Sequence, residues 1–168
     1  MPDINAPSSG QQSARFMYLY ALAVSGGAVA YIPFLTILLP LRATVLVGDS
    51  ALNMLAITAF VGAISASIAN IGFGWASDLT RTRRPWIWTG LILSSLLLVA
   101  MSFATNAPML MVMIVIWQIA LNMMLAPLAA WAGDSIPDSQ KGTLGGLLAL
   151  APALGALSGA LVTLEAFA

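Results

Sequence analysis

Of 168 residues, 60% are hydrophobic and 7% are charged, with six basic residues balancing six acidic ones. Soluble domains carry about 25% charged residues, so a chain this small and this apolar could not cover its surface in water, and lipid is the solvent that its composition calls for. Zero net charge offers no basic surface for nucleic acid; the lack of cysteine excludes disulfides and thiolate chemistry; and the lack of histidine removes the commonest general base and metal ligand.

Met1 to Gln12 is polar and rich in Pro, Ser and Gln, which predicts a disordered cytoplasmic tail over residues 1–15. Residues 16–168 are expected to form a bundle of transmembrane helices. A helix rises 1.5 Å per residue, so about 20 apolar residues cross a hydrocarbon core of about 30 Å. Five segments meet that length: Phe16–Leu41, Leu52–Ser77, Trp86–Ala104, Pro108–Ala132 and Thr143–Ala166. None has a charge at its centre, where an Asp or Arg costs about 2.5–3.5 kcal/mol to insert. The charges fall between the spans. Arg42 and Asp49 flank the first expected loop, Asp78, Arg81, Arg83 and Arg84 fill the second, and Asp134, Asp138 and Lys141 the fourth. Placed on alternate sides, Arg15, Arg81, Arg83, Arg84 and Lys141 oppose Arg42 alone, which predicts a cytoplasmic N-terminus. With five spans the C-terminus would emerge outside. Ala168 follows the last expected helix with Glu165 as its only late charge, which reads as an interrupted sequence.

Within the spans, small residues recur at helical spacing: Gly62, Ala66, Asn70 and Gly74 in the second, and Ala151, Gly155 and Gly159 in the fifth. Such stripes let backbones approach closely in lipid. Gly62, Gly155 and Gly159 are therefore expected at helix contacts, either static or sliding. Pro33, Pro40, Pro127 and Pro152 each remove a backbone donor and predict kinks. Tyr20 and Tyr31 lie on roughly one side of the first span, with Gly27 between them. Gln118 and Asn122, four apart, share one face of the fourth. An amide in lipid leaves its donors unpaired at a cost of several kcal/mol, so these groups should face the bundle interior or a water-filled cavity. Tyr31, Asn70, Gln118 and Asn122 are the candidate substrate contacts; the alternative is hydrogen bonding between helices. With no charge among them, a neutral polar ligand suits them better than an ion.

The second loop reads Gly74-Trp-Ala-Ser-Asp78-Leu-Thr-Arg81-Thr-Arg83-Arg84-Pro85-Trp86. Asp78 can pair with a nearby arginine or cap the next helix. Arg83 and Arg84 suit anionic headgroups, Pro85 a first helical turn, and Trp86 and Trp88 the membrane interface. This loop resembles the signature between the second and third helices of the major facilitator superfamily, Gly-x-x-x-Asp-basic-x-Gly-basic-basic. Gly74, Asp78, Arg83 and Arg84 match its parts; Leu79 stands at the first basic position, the inner glycine is absent and the basic pair is shifted. The Ser-Asp…Arg-Arg-Pro form is similar to the sucrose and glycoside–cation symporter branches. Asp134, Pro137 and Lys141-Gly142 after the fourth span resemble the family as well. Gly146, Gly155 and Gly159 are similar in spacing to the fifth-helix motif of proton-coupled exporters, without its Gly-Pro pair.

The resemblance implies five helices of a facilitator-type N-terminal half bundle, with the sixth helix missing. It implies a multi-pass secondary transporter of the plasma membrane, moving a small, sugar-like solute with a coupling cation by alternating access. Gly74, Asp78, Arg81, Arg83 and Arg84 would form its cytoplasmic gate. The alternative is a small membrane scaffold or regulatory subunit that does not transport. An enzyme is not expected: the one conceivable acid pair, Asp78 and Asp134, lies outside the apolar runs. No cofactor or metal is expected.

Overall fold

The computed structural model describes residues 10–166, and the side chains of residues 10–164; of the tail expected over residues 1–15, Met1–Ser9 lie outside them, and Ala14 and Arg15 already belong to the first helix. Every regular element among the described residues is helical. Helix α1 covers Ala14–Pro33, and Ser13 caps it by accepting a hydrogen bond from the N–H of Phe16 at 3.2 Å. A π turn, Phe34–Leu38, leads into α2, Leu39–Val47. A 3₁₀ turn, Gly48–Ser50, leads into α3, Ala51–Leu79. Helix α4 is Arg84–Ala100, extended by a 3₁₀ turn to Phe103. Helix α5 is Ala107–Ser135, α6 Asp138–Leu148 and α7 Ala151–Ala166.

The helix count corrects the expectation of five spans. Four helical stretches among the described residues are long and apolar enough to cross a membrane: Ala14–Leu79, Arg84–Phe103, Ala107–Ser135 and Asp138–Leu164. The first two expected spans are one continuous helical run of 66 residues. A loop was expected there because Arg42 and Asp49 are charged. The backbone instead stays helical through Val47, and only Gly48 turns to positive φ (55°). Arg42 needs no loop, because its Nη2 donates to the carbonyl of Ala104 at 2.8 Å. A half bundle of five helices awaiting a sixth is therefore not the observed architecture. The chain is an all-α, multi-helix protein with several apolar helices of membrane length, as a multi-pass membrane protein requires.

The chain divides into two compact units, one of residues up to Leu39 with those from Asp134 onward, the other Pro40–Gly133. In the first unit α1 packs on α7 and α6. A Cβ on Gly155 would come within 2.9 Å of the Ala28 carbonyl oxygen and 2.5 Å of Ile32 Cδ1, so only glycine admits this approach. Gly159 faces Ile37 Cδ1 (3.0 Å) and Pro33 (3.7 Å) in the same way. Pro33 has no N–H, so the Val29 carbonyl lacks its partner within α1. The Ser158 hydroxyl of α7 lies 3.3 Å from that carbonyl and 2.7 Å from the Gly155 carbonyl. At the other end of this unit Gln12 and Gln140 bond reciprocally, Gln12 N–H to Oε1 at 2.8 Å and Nε2 to the Gln12 carbonyl at 2.9 Å. The turn between α6 and α7 falls just before Pro152, which cannot donate to the Leu148 carbonyl.

In the second unit α5 is the central helix. Trp117, Ala120, Leu110 and Ile114 are at most 2% exposed, and Pro127 is fully buried. The most apolar stretch of α5 is 44% buried, against 17–22% for the other three, whose outward faces carry exposed Leu, Ile, Val and Phe suited to lipid. Helix α4 reaches α5 through Gly90: a Cβ there would stand 2.5 Å from Met124 N and 2.9 Å from Met123 C. Pro127 withholds an N–H from the Met123 carbonyl, so the closest approach of α4 falls where the α5 ladder is already broken.

Candidate functional site

Helices α3 and α5 meet along the small-residue stripe of α3. Gly62 leaves room for Gln118, whose Nε2 would lie 3.5 Å from a Cβ at that position. Two turns further along α3, Asn70 Nδ2 donates to Asn122 Oδ1 at 3.1 Å, and Asn122 Nδ2 donates to the Gln118 carbonyl at 2.9 Å. Asn70 and Asn122 form one seam through their side-chain amides, and Gln118 joins it only through its main-chain carbonyl. Asn122 is buried, Gln118 half-buried and Asn70 exposed, so the seam runs from the interior to an opening. There Ala66, Ser67, Asn70, Ile71 and Asn122 line a cleft of about 370 Å³. Ser67 is a polar lining residue that the sequence did not single out; its hydroxyl bonds the Ala63 carbonyl at 2.9 Å. Its signal was the spacing alone, three residues before Asn70. Tyr31 belongs to the other unit, half-buried in α1, and its carbonyl accepts from the N–H of Phe34.

The second constellation is the turn between α3 and α4. Arg81, in the left-handed region (φ 51°), reverses the chain, and its N–H bonds the Asp78 carbonyl at 3.2 Å. Arg83 Nη2 meets Asp78 Oδ1 at 2.9 Å. Asp78 thus pairs with an arginine rather than capping α4. The aspartate side chain is 60% exposed, so this pair contributes at most about 1 kcal/mol. Trp86 Nε1 donates to Thr80 Oγ1 at 3.0 Å and its ring lies 5.7 Å from that of Phe73, which clamps the turn to the ends of both helices. Gly74, half-buried in α3, would meet nothing within 4 Å if it carried a Cβ, so at this glycine packing makes no demand.

No family model, curated protein or solved structure matches this chain. Its functional reading therefore rests on its own residues. Among the described residues no group of three or more Asp or Glu side chains stands ready to hold a metal ion. What the arrangement offers chemically is a set of neutral donors and acceptors at a cleft between two membrane-length helices, and a basic turn at the end of those helices. The first suits hydrogen bonding to hydroxyl or amide groups; the second suits anions.

Proposed function

We propose that this chain belongs to a secondary transporter of the major facilitator type, which carries a small neutral polar solute of sugar-like character across the plasma membrane. The observation that carries the proposal is the Asn122–Asn70 amide pair, both members of which line a cleft beside Ser67. Amides placed in a membrane-length bundle are costly unless they are paired or wetted, and a polar solute is a reason to keep them at an opening. The turn Gly74–Arg84, with its Asp78–Arg83 pair, supports the family assignment and the gate role. On this reading the N-terminus is cytoplasmic, since Arg15 stands beside it and basic residues favour that side. On this reading the chain carries no catalytic residue, and a coupling cation is part of the cycle.

The bond from Asn70 to Asn122 favours a second reading, a non-transporting scaffold in which the amides only tie α3 to α5. A single cysteine separates the two, because the chain has none of its own. Ser67→Cys is labelled in intact membranes with a water-soluble maleimide, with and without a panel of monosaccharides, glycosides and polyols. Transport predicts labelling that one class of solute blocks, and uptake of that solute by cells making the protein. A cysteine that stays unlabelled, or that no solute protects, leaves the scaffold.

A further inference from the structure

The turn between α3 and α4 holds more than an ion pair. Arg81, Thr82, Arg83, Arg84 and Pro85, with Trp131 of α5, line an open groove of about 570 Å³. Its three guanidinium groups are not equivalent. Arg83 is 20% exposed and bound to Asp78. Arg81 and Arg84 are exposed, and among the described residues their side chains make no hydrogen bond or ion pair. Two cations are thus left at one concavity. Helix α4 begins at Arg84, so its first N–H groups add partial positive charge on the same side. Pro85 and Trp131 give the groove an apolar wall.

We propose that this groove binds a phosphate-bearing anion through Arg81 and Arg84, and that its source is the headgroup of an anionic phospholipid. Phosphate matches the donor geometry of guanidinium groups. The groove lies at the ends of membrane-length helices, where headgroups are concentrated, and exposed Trp88 lies one turn inside α4. A free phosphate ion has no use for the Trp131 wall, whereas a glycerol backbone and the first acyl carbons can cover it. The site does not depend on the chain being a transporter.

The test is lipid binding to the purified protein in neutral detergent, read by native mass spectrometry. Phosphatidylglycerol is compared with phosphatidylcholine of the same acyl chains, and inorganic phosphate is the competitor. Phosphatidylglycerol should bind more tightly. Each arginine near a charged membrane surface contributes about fivefold, so Arg81→Gln with Arg84→Gln should weaken phosphatidylglycerol about 25-fold and leave phosphatidylcholine unchanged. Arg81→Lys with Arg84→Lys keeps the charge but loses the planar fork, so its binding should fall between that of the parent and that of the glutamine variant. Arg15→Gln, in the other unit, should have no effect. Undiminished phosphatidylglycerol binding in the glutamine variant overturns the groove, as does equal loss in the lysine variant. Displacement of the lipid by millimolar inorganic phosphate overturns the lipid source and assigns the clamp to a free anion. Should the glutamine variant not fold, the lysine variant and the preference between the two lipids still decide.

Discussion

Gly90→Ala should unfold the Pro40–Gly133 unit more readily than any other single methyl added to a glycine there. The new Cβ would meet Met124 N at 2.5 Å and both Met123 C and Met124 Cα at 2.9 Å. All three are backbone atoms, so no side chain can rotate away, and α4 must withdraw from α5 by nearly 1 Å to reach ordinary contact. Overpacking of this kind costs about 1–3 kcal/mol, and a backbone obstacle belongs at the top of that range. Alanine returns about 1 kcal/mol through helix propensity. The net loss is about 2 kcal/mol, roughly a 30-fold shift toward the unfolded state. The assay is reversible unfolding in mixed micelles of increasing dodecyl sulfate content, followed by circular dichroism. Gly72→Ala is the control, since a Cβ at that position would meet nothing within 4 Å and only the propensity gain remains. Gly90→Ala as stable as Gly72→Ala would refute the contact between α4 and the Met123–Met124 backbone.

A double-mutant cycle of Asn70→Leu and Asn122→Leu should give a coupling of about 0.6 kcal/mol and no more than about 1.7 kcal/mol in the same unfolding assay, the mean and the maximum for hydrogen bonds between membrane helices. Ser158→Ala should destabilise the unit formed by α1, α6 and α7 by a similar few tenths to about 1.7 kcal/mol, and this loss should shrink in a Pro33→Ala background, where the Val29 carbonyl regains a donor within α1. Asp78→Asn removes an exposed pair with Arg83 and should change thermal stability by no more than about 1 kcal/mol, so a larger drop in solute uptake than in stability would mark the pair as part of a gate.

Local spacing made some of this legible, and distant contacts did not. Gly155 and Gly159 stood out because they repeat at four residues, and both sit against α1. Gly90 did not stand out: it is a lone small residue between Thr89 and Leu91, and its importance comes from a break in α5 more than 30 residues away. The burial of Asn122 fits the cost of a bare amide in lipid. That Asn70 would be the partner, across 52 residues of chain, followed from nothing local. The four-span count was missed for a related reason. Charge at Arg42 suggests a loop, but a residue with a long side chain can remain helical and send its guanidinium to a carbonyl elsewhere. The turn at Asp78–Arg84, by contrast, carries its own punctuation in Arg-Arg-Pro, and it lies where expected.

The π turn at Phe34–Leu38 sets the phase of α1 against α7. Ala28 and Ile32, four apart, meet Gly155, and the next residue on that line is Ile37, which meets Gly159 after a step of five. An uninterrupted α-helix would have turned Thr36 toward α7; instead Thr36 is exposed and its hydroxyl bonds the Ile32 carbonyl at 2.8 Å. Five-residue bonding, seen from the Leu39 N–H to the Phe34 carbonyl, also lets the Thr36 carbonyl pass over Pro40, which has no N–H to give. The turn therefore behaves as a one-residue insertion absorbed in the helix. A shorter version of this segment, lacking Thr36, could run as plain α-helix and still present an isoleucine to Gly159, so this is the place in the chain where length can vary by one without changing which face meets α7.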